Sequence, residues 1–131
     1  MTWQHLLQQV RAAGRYTTEQ QAERVLATVL AALGRQLTGD ERRDLQAAVP
    51  DRARALFSSQ VPLPRPVPAP ALVETVATTL DTTPLHARWH VASVLSALTH
   101  LTGEALTSRI LAQLPRGYAL LYGRADLATA A

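Results

Sequence analysis

Residues 17–35 read TTEQQAERVLATVLAALGR, and residues 82–100 read TTPLHARWHVASVLSALTH. Laid on one another at a shift of 65, the two stretches share 8 identities in 19 positions. Thr17, Thr18, Ala22, Ala27, Val29, Leu30, Ala32 and Leu33 meet Thr82, Thr83, Ala87, Ala92, Val94, Leu95, Ala97 and Leu98. In both stretches the apolar residues return every three or four positions, which puts them on one face of a helix. Thr18 and Thr83 stand before the stripes as N-caps, with Thr18 and Gln21 at capping-box spacing. Pro84 takes the first helical position, where its missing N–H is no loss. A chain that spells the same capped helix twice reads as an internal duplication.

The match runs outward from there. Leu37-Thr38-Gly39-Asp40 meets Leu101-Thr102-Gly103-Glu104 at a shift of 64, and Val49-Pro50 meets Leu114-Pro115 at 65 again. Gln36 is thus one residue without a counterpart. Earlier in the chain Leu6, Leu7 and Val10 meet Leu72, Val73 and Val76. Each half reads as four helices. The first spans about residues 2–13 and stops at Gly14. The second carries the stripe, extended to Leu37. The third is capped by Thr38, with Asp40 and Glu41 at its positive dipole end. The fourth follows Pro50 and carries Leu56 and Phe57. In the second half, helices over 71–80 and from Thr83-Pro84 are followed by one capped at Thr102-Gly103. Pro115 opens the last, with Tyr118, Leu121 and Tyr122. Nothing alternates with period two, so the expected fold is all-α: a compact eight-helix bundle of two similar four-helix halves.

Residues 61–70, VPLPRPVPAP, join the halves. A proline at every second position forbids helix and sheet and favours extended polyproline II. Ten such residues span roughly 31 Å, enough to cross a domain whose radius of gyration is about 14 Å. Prolines two and four apart do not form the P-x-x-P spacing of a proline-reader's ligand, so the segment reads as a strap. A half of this size buries a marginal core alone, which favours one domain over 1–131. Its parts are a first half over 2–58, the strap over 61–70, a second half over 71–122 and a fraying tail over 123–131.

These caps, turns and stripes resemble the bacterial family known as domain of unknown function 2267. The resemblance runs from about Leu6 to Tyr122. It is carried by the helix from Ala22 to Leu33, the run Leu37-Thr38-Gly39-Asp40-Glu41-Arg42-Arg43-Asp44-Leu45, and the Val49-Pro50 before a short helix. The second half departs from the pattern at Glu104-Ala105-Leu106. The resemblance implies an all-helical fold and brings no activity, cofactor or catalytic residue.

Of 131 residues, 47% are hydrophobic and 18% charged, the profile of a globular chain. There is no cysteine, which removes disulfides, thiolate metal sites and a cysteine nucleophile. There is no lysine, so all 13 cations are Arg and Schiff-base chemistry is absent. G-x-S-x-G, G-x-G-x-x-G and H-E-x-x-H are missing, and no Glu precedes a His by three, as di-iron bundles require. The N-terminus has no signal-peptide pattern. The longest apolar run, from Val25 to Leu33, is too short for a membrane. A cytoplasmic setting is expected.

A few residues invite a functional reading. His86 and His90 share a helix face and are the candidates for a haem or small-ligand pocket. Zinc needs three or four ligands, however, and His90 aligns with the stripe residue Val25. A half-buried, hydrogen-bonded His90 is therefore expected, with no cofactor. Glu19 and Glu23, like Asp40 and Asp44, sit in first helical turns where negative charge is favoured, not in an acid–base pair. Arg42, Arg43, Arg52 and Arg54 interleave with Asp40, Glu41, Asp44 and Asp51, the pattern of an ion-paired face and not of a phosphate track. Trp3 and Trp89 suit half-buried positions or contact anchors. The leading expectation is a non-enzymatic helical interaction domain with a protein partner or a second copy of itself. A nucleic-acid binder is the alternative, motivated by a net charge of +3.

Overall fold

The computed structural model describes residues 2–123, all helix and connection. Eight helices follow one another: α1 (Trp3–Gly14), α2 (Glu19–Gly34), α3 (Gly39–Ala48), α4 (Asp51–Ser58), α5 (Ala69–Leu80), α6 (Pro84–Thr102), α7 (Glu104–Gln113) and α8 (Tyr118–Leu121). The fraying expected of the tail falls on residues 124–131, outside the described residues, apart from Gly123.

Sequence sets most of these boundaries. Thr18 and Thr83 cap α2 and α6, their hydroxyls accepting from the N–H groups of Gln21 and His86. Thr2 does the same for α1 through His5 N–H. α1 and α5 both run 12 residues and both close on a residue in the left-handed conformation, Arg15 at φ 55° and Asp81 at φ 53°. Gly39 and Gly103 also take positive φ, 67° and 90°, which glycine adopts without a Cβ penalty.

The apolar stripes meet in one core. α1 lies across α6 and α5 across α2, while α1 also touches α2, α5 touches α6, and α2 touches α6. α4 covers α2, α8 rests on α6, and α3 meets α7. Leu6, Val10, Leu26, Val29, Leu30, Leu33, Val91 and Val94 are fully buried in a single cluster. Each contributes about 1.5–3 kcal/mol, so the stripes hold the molecule together.

Four local expectations need correction. Gly14 does not stop α1. It is the last helical residue, Arg15 takes the left-handed turn, and a Cβ on Gly14 would collide with the Tyr16 ring. Thr38 stands at the N-cap of α3 but makes no side-chain cap bond. Its main chain is clasped instead by the Gln113 amide, whose Oε1 accepts from Thr38 N–H at 2.9 Å and whose Nε2 donates to Thr38 C=O at 3.1 Å. Thr102 does not cap α7. It ends α6, its hydroxyl donating back to Leu98 C=O, and Gly103 is the residue before α7. Pro115 does not open α8, which begins at Tyr118, after Gly117; glycine is a poor helix former.

The strap is shorter than the expected 61–70: Ala69 and Pro70 form the first turn of α5, where a proline costs no hydrogen bond, so the non-helical chain covers 61–68. It is tied down near both ends. Leu63 N–H donates to Arg35 C=O at 2.8 Å, and Val67 N–H donates to Gln36 Oε1 at 2.8 Å. Gln36 is 5% exposed and its Nε2 donates to Ala32 C=O. The buried Tyr118 hydroxyl donates to Val67 C=O at 2.8 Å, and burial pushes the Tyr118 phenol up to about 12. The residue that broke the alignment is the one that grips the strap.

Candidate docking groove

Most nominated side chains are engaged inside the molecule. Arg42 turns inward over the Phe57 ring at 4.8 Å. Its guanidinium donates to the carbonyls of Gly34, Leu37, Phe57 and Gln60, tying the C-terminal ends of α2 and α4 together. Arg43 pairs with Asp40, and Arg54 with Asp51 at 3.1 Å. Arg52 pairs with Glu23 and lies over the Trp3 ring at 4.6 Å. From α7, Arg109 reaches Asp44 at 2.8 Å. Arg43, Arg52 and Arg54 thus pair with carboxylates as expected, whereas Arg42 departs from that face and binds main-chain carbonyls.

The two histidines do not converge. His86 is exposed, with Nδ1 3.4 Å from the Thr82 hydroxyl. His90 is half-buried, and its Nδ1 shares a 2.6 Å hydrogen bond with the Tyr16 hydroxyl. Burial, with His86 one turn away, holds His90 below its ordinary value. Burial raises the Tyr16 phenol, against a smaller lowering by Ser93. His5 and His100 line a separate small cleft between α1 and α6. Among the described residues no group of three or more His, Cys, Asp or Glu is placed to hold a metal ion.

Beside this corner lies an open cleft of about 650 Å³ between the first turns of α5 and α6 and the short α8. The sequence puts small or apolar residues there. Ala69 and Pro70 open α5, Pro84 opens α6, and Gly117 precedes α8. Val73 and Leu121 form the buried floor. Leu85 and Leu120 stand on the walls, 74% and 63% exposed. Arg88 is the one charged side chain lining the cleft, and it makes no hydrogen bond or ion pair among the described residues. Trp89, one turn beyond Leu85, is 51% exposed and its indole N–H donates to Gly14 C=O at 3.1 Å.

Covering the two leucines contributes about 3 kcal/mol of burial energy, from which the cost of association is subtracted. Arg88, without an ion-pair partner among the described residues, is of a residue type enriched at the energetic centres of protein contacts. Leu85, Arg88 and Leu120 were missed in the sequence. The signal was present, because Leu85 lies off the α6 stripe and Arg88 stands opposite Glu23 in the alignment of the halves.

A family model described as an uncharacterized conserved protein, DUF2267, matches residues 3–121. No curated protein matches the chain. Among the described residues no helix is long and apolar enough to cross a membrane.

Proposed function

We propose that the chain, which belongs to the DUF2267 family of uncharacterized conserved proteins, is a helical protein-interaction domain with no chemistry of its own. In this reading it works in the cytoplasm and receives a partner protein in the groove between α5, α6 and α8. One observation carries the reading: Leu85 and Leu120 stand out into solvent around an apolar floor, and on its rim Arg88 has no ion-pair partner among the described residues. A protein contact suits this surface better than a nucleic acid does. Phosphate binding needs free cations in a row, whereas Arg43, Arg52, Arg54 and Arg109 are spent on carboxylates.

The duplication read from the sequence belongs to the same proposal. Its support is the equal length and left-handed closure of α1 and α5, and the way α1 lies on α6 as α5 lies on α2.

The test places a photo-crosslinking amino acid at Leu120 and, as a control, at the exposed Gln8 of α1, in living cells of the source. Adducts from position 120 that vanish with Leu85→Asp are expected. Adducts of the same pattern from position 8, or adducts that survive Leu85→Asp, would remove the groove from the account.

A further inference from the structure

Within the reading of the groove as a docking site, we propose what fills it: a protein segment presenting a bulky apolar side chain, best an aromatic one, next to a carboxylate. The argument comes from the other half of the chain, which occupies the equivalent positions with its own interacting side chains. At the 66-residue shift that superposes α1 on α5, Trp3 stands opposite Ala69 and Gln4 opposite Pro70. At the 65-residue shift, Glu19, Glu23 and Arg52 stand opposite Pro84, Arg88 and Gly117.

In the first half these residues form a plug. The Arg52 guanidinium lies on the Trp3 ring and pairs with Glu23, and Gln4 Nε2 donates to Glu19 Oε1 at 3.0 Å. In the second half the backbone partners remain neighbours, since a Cβ on Gly117 would come within 3.1 Å of the Ala69 Cβ. The side chains that made the plug are gone. An indole has become a methyl group, a guanidinium has become a hydrogen, and both partners of the Gln4–Glu19 bridge have become proline. The cleft is the space they vacate.

The charge is inverted as well. The first half offers a carboxylate, Glu23, and answers it with its own Arg52. The second half offers a cation, Arg88, and among the described residues lines the cleft with no carboxylate to answer it. An occupant that restores the plug brings an aromatic ring for the Ala69–Gly117 floor, between Leu85 and Leu120, and a carboxylate for Arg88. The cleft holds side chains and a short length of backbone, so the occupant is a single segment and not a domain face.

The experiment uses the full chain and three fluorescein-labelled, alanine-rich helical peptides of 14 residues. The first carries Trp and Glu four apart, the second Trp and Lys, and the third Ala and Glu. The Trp–Glu peptide is expected to bind at least tenfold more tightly than the other two by fluorescence anisotropy. Arg88→Glu, a surface change checked by circular dichroism, is expected to reverse the order of the Glu and Lys peptides. Rebuilding the plug with Ala69→Trp, Arg88→Glu and Gly117→Arg together should abolish binding of all three.

Equal binding of the three peptides, no binding, or a preference that survives Arg88→Glu overturns the proposal. So does a dimer seen by light scattering and dissolved by Leu120→Asp, which would make a second copy the occupant. If crosslinks at position 120 persist while the peptides show no preference, docking stands and this occupant falls. If both fail, the groove reading falls with it.

Discussion

Burial of the half-buried His90 ring, with His86 one turn away, disfavours its charged form in the fold. Its folded value therefore lies below the 6.5 of the unfolded chain. Above pH 6.5 neither state is protonated there, and the contribution is fully present. As the pH falls from 6.5 to the folded value, the unfolded chain binds the proton first and stability is lost. Below the folded value the loss levels off. The thermal midpoint of the wild type should therefore fall between pH 7 and 5 more steeply than that of His90→Gln. Equal slopes in a pH series of thermal melts would show that His90 carries no such linkage. His90 was legible at this scale, since its place in the stripe already implied partial burial. Its bond to Tyr16 was not, because that pair is 74 residues apart and only packing brings it together.

At the scale of elements, periodicity made α1, α2, α5 and α6 readable, because each buries one regular face, and caps fixed the starts of α2 and α6; α5, expected from 71, begins two residues earlier at Ala69. The junctions were less readable. The Leu-Thr-Gly turn looks the same twice, yet α6 runs on through Thr102, whereas α2 ends at Gly34 and leaves a connection before α3. Gln36 lies in that connection. The alignment marked it as an insertion and said nothing of burial, which depends on where the strap runs. Gln36→Ala removes the acceptor of Val67 N–H and the donor to Ala32 C=O. Leaving a part-buried N–H without a partner costs about 1–3 kcal/mol, so the urea midpoint should drop accordingly with the unfolding slope unchanged. A midpoint within error of the wild type would mean that the strap holds by its apolar contacts alone. The groove was hidden for a similar reason: Leu85 and Leu120 are 35 positions apart and become neighbours only when α8 folds onto α6.

At the scale of the molecule the helices before the strap pack against those after it. α1 is covered mainly by α6, and α5 packs on α2 as well as on α6, so cutting the chain at the strap removes a large share of the packing from each piece. Fragments 1–60 and 61–131 should each be largely unfolded at micromolar concentration. Mixed, they should regain helical circular dichroism and a cooperative melt. A fragment that melts cooperatively alone would show that its half is a domain in its own right. The strap between them has a consequence of another kind. Four of its eight residues, 61–68, are proline, so no two successive amides can donate hydrogen bonds. An extended segment on a protein surface is ordinarily a template on which a strand of another molecule can grow into cross-β aggregates. This one offers no continuous ladder edge, and the molecule can carry extended chain on its surface without seeding fibrils.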